Sequence, residues 1–278
     1  MINYMQSEGK MREALNQRQE HFLRTHQVFN TDEWEHCCAL SGHRSRNQLA
    51  KLSRSNRIRK IRNRLYSVVP SGVTGNFTPP AILTAAKLTP DAVLGYRSAL
   101  AFYGMSRNAY NSHTFLTRHR IKPCRVNDVA FQPCSYPQTL QDQPDFAVET
   151  HSVWNTPVQV VSKERLLVDT LDRLELSGGW EEIVNAFAGE DALDWKKVVR
   201  YVKLLAHPAA TARLGFMLER YKETMRVPDN VLASLEKLIP ETPEYFFRSR
   251  RKGRFVKRWN LYVPDEILKE DGGLEGEF

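Results

Sequence analysis

The sequence predicts an α+β protein, and three patterns in it carry that prediction. Helical apolar spacing dominates residues 11–54, short β-type runs between proline-bearing turns fill residues 114–161, and helical spacing returns over residues 162–238. The chain has 278 residues, of which 41% are hydrophobic. That length and composition suffice for more than one core, so we expect two domains, residues 1–74 and 75–278.

The first domain is predicted to begin with two helices. The first spans residues 11–26, where Phe22 belongs to an apolar set at helical spacing. The second spans residues 32–40. Thr31 is its expected N-cap, and Gly42 is its expected left-handed stop.

A third predicted helix, residues 45–54, carries its polar residues on one face. At about 100° per residue, Leu49 and Leu52 fall on the opposite face. The polar face consists of Arg44, Asn47, Lys51 and Arg54. Arginine and asparagine can pair bidentately with guanine and adenine edges, so this face has the chemistry that reading a major groove requires.

A basic hairpin is predicted to follow over residues 57–70. Ile58 and Ile61 alternate with cations, and the chain turns near Asn63. Three helices followed by a basic hairpin is the order of a winged helix-turn-helix, which sets helix three in the major groove and the hairpin against phosphates. An ordinary helical domain with a solvated basic face is the alternative.

The charge of the chain is concentrated in this region. Lysine and arginine number 40 against 32 acidic residues, a net charge of +8, yet residues 36–90 hold ten basic residues and no acidic one. From Asp91 onward, 26 basic residues balance 26 acidic ones. Such a concentrated basic segment indicates a polyanion as partner, and we expect double-stranded DNA.

The predicted DNA-binding residues belong to helix three and the hairpin. They are Arg44, Arg46, Asn47, Gln48, Lys51, Arg54, Arg57, Arg59, Lys60, Arg62 and Arg64. If about half of the nine cations contact phosphates, affinity falls with a log–log salt slope on the order of −4 per protomer. One such module reads only a few base pairs, so we expect a monomer in solution or a dimer on repeated half-sites.

The second domain is predicted as a small sheet followed by several helices. Helical patterns at residues 81–88 and 92–102 open it. The predicted strands are residues 114–117, 126–131, 146–150 and 158–161. One later helix is capped by Ser162, and the others cover residues 180–188, 195–206, 209–225 and 229–238.

A second basic cluster near the end of the chain is interleaved with aromatic residues. It comprises Arg248, Arg250, Arg251, Lys252, Arg254, Lys257 and Arg258, with Phe246, Phe247, Phe255 and Trp259 between them. Such rings can stack on bases, so RNA binding is one interpretation of this cluster. The other is an exposed hairpin whose aromatic side chains face the core. Residues 265–278 hold six acids against one lysine, which is typical of a solvated end or of a shield for a basic surface.

Three phrases of the second domain occur in a distinctive order. They are AILTAAKLTPDAVLGYRSALAFYGMS (81–106), VSKERLLVDTLDRLELSGGWEEIV (161–184) and ATARLGFMLE (210–219). Together with the amino-terminal module, they resemble the AbiEi family of type IV antitoxins, transcriptional regulators of bacterial abortive-infection operons. The resemblance implies a first domain that binds inverted repeats upstream of its own operon. It also implies a second domain that supports repression and neutralises a nucleotidyltransferase-like toxin without a stable complex.

The resemblance extends to individual positions. Helix three corresponds to residues 44–54 and the wing to residues 57–66, where Asn63 stands in place of a frequent glycine and is expected to adopt a positive φ. The matching positions further along are Ser98, Ala99, Leu100, Gly104, Lys163, Glu164, Arg165, Asp169, Arg213, Leu214 and Gly215.

The polar members of that set have two interpretations. Glu164, Arg165, Asp169 and Arg213 lie on predicted helices with apolar neighbours, which favours a buried ion-pair network. The alternative is an antitoxin or second nucleic-acid surface. That surface would comprise Glu164, Arg165, Asp169, Arg213, Arg248, Arg250, Arg251, Lys252 and Arg254.

Signatures of catalysis are missing, so we expect a protein that is not an enzyme and needs no metal or other cofactor. The sequence has no GxGxxG, P-loop, HExxH or serine-centred elbow. A zinc site would have to draw on His36, Cys37, Cys38 and His43. Neighbouring helical residues point about 100° apart and cannot easily share one tetrahedral ion.

A metal-dependent nuclease of a phage-defence locus is the enzymatic alternative. Pro144 and Asp145, followed by Asp194 and Lys196, form a weak match to a PD-(D/E)xK motif, which sets acids and a lysine around magnesium. That motif needs its acids on adjacent strands. Asp194 precedes a helical pattern and is more simply an N-cap.

Location and redox state are predicted from composition. No apolar run approaches the roughly 18 residues that a membrane span needs, and the first ten residues lack the apolar core of a signal peptide. We therefore expect a cytoplasmic protein with no membrane partner. Its four cysteines form no CxxC pair, so reduced thiols are expected.

Overall fold

A computed structural model describes residues 2–73, 75, 77–247 and 253–269, with the side chains of the first helix described from residue 13 onward. Over these residues the chain forms eleven α-helices and three sheets, so the predicted α+β class is confirmed. None of the helices in this part of the chain has the length and apolar character needed to cross a bilayer.

The chain divides into two compact units. The first consists of Met1–Leu94, Asn111–Pro133 and Thr150–Gln159. The second consists of Gly95–Tyr110, Cys134–Glu149 and Val160–Phe278. The functional division between residues 74 and 75 stays a prediction.

Six elements open the first unit. They are α1 (Ile2–Thr25), β1 (Val28–Asn30), α2 (Thr31–Cys38), α3 (Gly42–Arg54), β2 (Ile58–Arg62) and β3 (Leu65–Val68). The strands form one antiparallel sheet in the order β1-β3-β2, with Phe29 opposite Tyr66 and Arg59 opposite Ser67. β2 is therefore an edge strand of this sheet.

An aromatic core holds these elements together. The Phe22 ring centroid lies 5.1 Å from that of Phe29 and 5.5 Å from that of Trp34, both edge-on, and all three side chains are buried. Leu49 and Leu52 of α3 belong to the same cluster. Each fully buried side chain of this kind contributes about 1.5–3 kcal/mol. The apolar face of α3 is thus fixed to the core, which leaves its polar face to solvent.

The ends of α2 differ from the prediction. Asn30 is the N-cap instead of Thr31. The Asn30 side chain accepts from the backbone N–H of Glu33, and the Glu33 carboxylate accepts from the backbone N–H of Asn30, both at 2.9 Å. This capping box satisfies two amide groups, which Thr31 would not achieve alone. At the other end Ala39 adopts the left-handed conformation, so Gly42 does not stop α2 but opens α3.

The turn between β2 and β3 also differs from the prediction. Arg64, not Asn63, has the positive φ of 62°. The Arg64 carbonyl accepts from the Thr31 amide at 2.9 Å, and its guanidinium pairs with Asp32. These contacts with the start of α2 fix Arg64 and offset the strain of a left-handed non-glycine residue.

A six-stranded sheet, mostly within the first unit, contains the next strands. Its order is β6-β7-β5-β4-β9-β8. The strands and the helix that precedes them are α4 (Ala81–Ala86), β4 (Val93–Leu94), β5 (Ser112–Leu116), β6 (Cys124–Val126), β7 (Val129–Cys134), β8 (Val148–Val153) and β9 (Thr156–Val161). The helix predicted over residues 92–102 is wrong at its start, because Val93 pairs with Leu116 and Tyr96 interrupts the chain with a φ of 51° before α5 (Arg97–Phe102).

Helices dominate the second unit. After α5 they are α6 (Lys163–Asp172), α7 (Trp180–Phe187), α8 (Trp195–Leu205), α9 (Pro208–Arg220), α10 (Asp229–Glu236) and α11 (Asp265–Lys269). A small sheet joins β10 (Glu244–Tyr245), β11 (Arg254–Val256) and β12 (Leu261–Val263). α9 ends five residues before its predicted end at Met225. The N-cap prediction for Asp194 is confirmed, since its carboxylate accepts from the amides of Lys196 and Lys197.

Candidate nucleic-acid interface

The polar face of α3 is a row of solvent-exposed side chains. Of the six predicted DNA-binding residues on this helix, Gln48 is half-buried and five are exposed: Arg44, Arg46, Asn47, Lys51 and Arg54. No acidic residue lies on this helix. The face therefore offers positive charge and amide groups to solvent.

The predicted cations divide into two groups according to their partners. Over the described residues, four have side chains with no hydrogen bond or ion pair: Arg44, Lys51, Arg54 and Lys60. Arg46 makes only a 3.4 Å bond from Nε to the Gly42 carbonyl of its own helix. The side chains of Asn47 and Gln48 are likewise without partners in this part of the chain. These groups are available to a ligand.

The second group of cations is engaged within the protein. Arg57 forms a bidentate pair with Glu20 of α1, at 2.6 and 2.7 Å. Arg59 donates to the carbonyls of Gly75 and Phe77, at 2.8 and 3.1 Å. These guanidinium groups connect the hairpin to its surroundings and are not free for phosphate.

Two hairpin arginines near the turn are engaged more loosely. Arg62 is exposed and reaches the Leu88 carbonyl at 3.5 Å, while Arg64 pairs with Asp32. Both members of the Arg64 pair are more than half exposed, so their mutual attraction is screened by water. A phosphate can compete for either side chain.

Two acids of the neighbouring helices, Glu20 and Glu33, are already engaged. The hydrogen bond from Arg57 lowers the pKa of the Glu20 carboxyl. Glu33 closes the capping box of α2 and also pairs with Lys87. The unpaired cations of α3 thus lack a neutralising partner in the described residues. In such a field a phosphate group gains charge-assisted hydrogen bonds, while neutral amides such as Asn47 can read base edges.

The structure places Arg165 and Asp169 in the core of the second unit, not on a surface. Arg165 is 0% exposed and Asp169 is 2% exposed. Arg165 Nε lies 3.2 Å from the Asp169 carboxylate, and its Nη1 donates to the carbonyls of Pro144 and Phe146 at 2.9 and 2.8 Å. Tyr201 donates its hydroxyl to the same carboxylate. Burial raises the pKa of Asp169, against the opposing effect of the Arg165 charge.

Arg213 is a second buried arginine of this unit, with 3% exposure. It donates to backbone carbonyls at the end of α6 and in the segment around β10. The acceptors within 3 Å are Leu171 at 2.7 Å and Phe246 at 2.8 Å. Among Glu164, Arg165, Asp169 and Arg213, only Glu164 is partly exposed, and it pairs with Lys197 at 3.0 Å. Arg165, Asp169 and Arg213 are part of the core.

The basic cluster near the end of the chain is described only in part. Arg248, Arg250, Arg251 and Lys252 lie outside the described residues, as do residues 270–278 of the acidic end. Arg254 is exposed and pairs with Asp265 at 3.1 Å. Phe246 and Trp259 are buried, whereas Phe255 is 45% exposed. Two of the aromatic side chains therefore serve the core.

The residues of the enzymatic and zinc alternatives are placed as follows. Neither Asp145 nor Asp194 lies on a strand, and the Asp194 carboxylate caps α8. Over the described residues, no group of three or more histidine, cysteine or acidic side chains could hold a metal ion. None of the four cysteines, all of which lie in the described part of the chain, forms a disulfide bond. Burial raises the pKa of Cys38 to about 12, which keeps this thiol protonated.

The sequence reasoning missed one basic segment. Residues 92–127 contain six arginines and lysines and no acid, but the segment was hidden inside a balanced total for everything after residue 91. Counting charge in shorter windows would have found it. Four of its cations, Arg118, Arg120, Lys122 and Arg125, are exposed around the loop between β5 and β6.

Comparison with known proteins gives a similar fold. The RV2827C protein from Mycobacterium tuberculosis superimposes with a TM-score of 0.58 at 14% sequence identity, over 89% of this chain and 90% of that one. At this identity the likeness concerns the fold alone. No family model matches the chain, and no curated protein matches it.

Proposed function

We propose that this protein is a sequence-specific, duplex-DNA-binding transcriptional regulator that represses its own operon. In this proposal residues 1–74 act as a winged helix-turn-helix, with α3 in the major groove and the β2–β3 hairpin against the phosphates. The second domain supports repression and acts as an antitoxin against a nucleotidyltransferase-like toxin. We infer no enzymatic step and no cofactor.

The observation that carries the DNA-binding proposal is the polar face of α3. Its cations are exposed, and Arg44, Lys51 and Arg54 are unpartnered over the described residues, while its apolar face is fixed in a core. A rigid helix that presents cations and amides, with no acid among them, suits a groove flanked by phosphates. The order of helices and strands, with the antiparallel β2–β3 hairpin directly after α3, supports the winged-helix proposal.

The residues have different roles in this proposal. Asn47 and Gln48 carry the amides that can read base edges, whereas Arg44, Lys51 and Arg54 bind phosphates or guanine. Lys60 is the unpartnered cation of the hairpin. Arg57 and Arg59 position the hairpin through internal contacts and contribute little to the salt dependence.

The antitoxin part of the proposal is supported by the family resemblance. Because Arg165, Asp169 and Arg213 are buried, we assign them to the stability of the second domain. Substituting them would remove antitoxicity only by unfolding that domain. The groups that act on the toxin would then be exposed ones, and no stable complex with the toxin is required.

The first experiment measures affinity for duplex DNA from the region upstream of the protein's own reading frame, over a series of salt concentrations. We expect a log–log slope on the order of −4 per protomer and a reduction of about 3 in the triple variant R44Q/K51Q/R54Q. The control is K196Q/K203Q/K237Q, which removes three exposed, unpartnered cations of the second unit.

Two outcomes would reject the DNA-binding proposal. One is a salt slope near zero for the unmodified protein. The other is an equal response of the two triple variants, because net charge alone would then account for binding. Preference for structured RNA over duplex DNA in a competition assay would favour the RNA-binding alternative. The stoichiometry on an inverted repeat checks the expected dimer.

The second experiment tests the antitoxin. A nucleotidyltransferase encoded next to this protein is expressed alone and together with it, and growth is measured. We expect growth arrest when the nucleotidyltransferase is expressed alone and normal growth when this protein is expressed with it. The α3 triple variant should still rescue, since DNA binding and neutralisation belong to different domains in this proposal. Failure of the unmodified protein to rescue would reject the antitoxin proposal and leave DNA binding unaffected.

A further inference from the structure

The loop between β5 and β6, residues 117–123, presents cations that resemble those of α3 in their surroundings. Arg118, Arg120 and Lys122 are exposed, and their side chains have no hydrogen bond or ion pair over the described residues. They lie in residues 92–127, which contain no acid. Unpartnered cations in an acid-free segment are available to an anionic ligand.

The start of this loop is held in place by hydrogen bonds. Asp91 accepts from the Thr117 hydroxyl at 2.6 Å and from the Arg118 amide at 2.7 Å. Thr89 donates to the Thr117 hydroxyl at 3.0 Å. Burial opposes the ionised form of Asp91, yet these hydrogen bonds lower its pKa. The carboxylate of Asp91 is thus hydrogen-bonded to the start of the loop, and these bonds fix the backbone from which the loop cations extend.

Contacts connect β2, the edge strand of the amino-terminal sheet, to segments that adjoin the loop. The Phe77 carbonyl accepts from Arg59 of β2 at 3.1 Å and from Asn127, in the β6–β7 turn, at 2.9 Å. Near the hairpin turn, Arg62 reaches the Leu88 carbonyl at 3.5 Å, one residue from Thr89. These contacts all fall within the first unit.

A second observation supports the same proximity. Burial raises the pKa of the Cys124 thiol, and the charge of Arg62 partly counters that rise. Cys124 opens β6 directly after the loop. The charge of Arg62 of the hairpin therefore acts on Cys124, directly after the loop. At the start of the loop, Thr117 bonds Thr89, the residue after Leu88, which Arg62 also reaches.

We propose that Arg118, Arg120 and Lys122 form a second phosphate-binding segment, which extends the DNA interface of α3 and the hairpin along the duplex backbone. This inference rests on the proposed function. Duplex DNA carries one negative charge per about 1.7 Å of its axis, so a backbone that meets the hairpin continues past it to neighbouring cations. Contacts to phosphate carry no base information, so the segment adds affinity and salt dependence but no sequence preference.

The experiment compares three triple variants on the same mixed-sequence duplex DNA, over a series of salt concentrations. They are the loop variant R118Q/R120Q/K122Q, the α3 variant R44Q/K51Q/R54Q and the control K196Q/K203Q/K237Q. All lower the net charge equally. Because the loop adds three phosphate contacts to those of α3 and the hairpin, the expected slope of the unmodified protein steepens from about −4 to about −7. We expect the loop variant to return the slope to about −4 and to weaken binding about tenfold or more at low salt, while the control changes the slope by less than about 1.

The outcomes separate this inference from the function on which it rests. If the α3 variant loses binding and the loop variant behaves as the control does, the loop segment is overturned and the DNA-binding function stands. If the unmodified protein shows no salt-dependent binding to duplex DNA, the proposed function itself fails. Thermal unfolding of each variant verifies folding, and because all three loop side chains are exposed, we expect an unchanged midpoint.

Discussion

Arginines occur in two contrasting environments in this protein. On α3, Arg44 and Arg54 are exposed and unpartnered over the described residues. In the second unit, Arg165 and Arg213 are 0% and 3% exposed and are hydrogen-bonded to carbonyls or a carboxylate. The difference teaches that residue type alone does not identify a binding surface, because, within the described residues, the same guanidinium is exposed without a partner in one place and a core component in the other.

The physical cause of the contrast is desolvation. A buried guanidinium loses its hydration and must recover that free energy from internal hydrogen bonds, so its donors are committed to the fold. An exposed guanidinium keeps its hydration, and a phosphate can replace that water together with released counterions. Substitution should therefore cost stability in the second unit and DNA affinity on α3.

The largest expected effect comes from breaking the buried pair of Arg165 and Asp169. R165M leaves the Asp169 carboxylate and two backbone carbonyls without their buried partner, which should lower the free energy of unfolding by about 3–5 kcal/mol. Urea denaturation measures this loss. R44M is the matched control, and a change within about 0.5 kcal/mol is expected because Arg44 is exposed.

The same variant has an expected pH dependence. Burial raises the pKa of Asp169, and removal of Arg165 takes away an effect that lowers it. The folded state of R165M then binds this proton at a higher pH than the unfolded chain does, so its stability deficit should shrink as pH falls from neutral toward the unfolded pKa of about 3.9. The double variant R165M/D169N should recover part of the loss. Equal instability of the single and double variants would contradict the ion-pair explanation.

The sequence was sufficient to predict most of the helices and the basic segment, because both depend on local pattern. Apolar spacing fixed α3, and local capping chemistry identified Asp194 as an N-cap. The sequence was not sufficient to predict which cations have no partner within the protein. Arg57 meets Glu20, 37 residues away in the chain, and no local pattern marks that pair. The left-handed Arg64 depends in the same way on distant contacts with the start of α2.

An intermediate effect is expected from two adjacent residues of β2, one engaged and one free. Arg59 donates to the Gly75 and Phe77 carbonyls, whereas Lys60 has no partner over the described residues. R59Q should lower the free energy of unfolding by about 1–2 kcal/mol and leave the salt slope nearly unchanged. K60Q should leave stability unchanged and reduce the salt slope by about 1.

Denaturation and salt-dependent DNA binding, measured on both variants, check this pair. The contrast between engaged and free cations would be rejected if R59Q reduced the salt slope as much as K60Q does. The two substitutions remove the same charge from neighbouring positions, so general electrostatics cannot account for a difference between them.

The smallest expected effect concerns the exposed pair of Glu20 and Arg57. The hydrogen bond from Arg57 lowers the pKa of Glu20 in the folded state, so the folded state binds fewer protons than the unfolded chain as pH falls toward that value. The contribution of the pair is present above the unfolded pKa of about 4.3 and is lost as pH falls through the folded one. The two side chains are 51% and 42% exposed, so screening limits the contribution to about 0.5 kcal/mol. Urea denaturation of E20Q and the unmodified protein should show that difference at pH 7 and a progressively smaller one as pH falls below about 4.3. A gap of several kcal/mol at pH 7 would show instead that this hairpin contact resembles the buried arginines of the second unit.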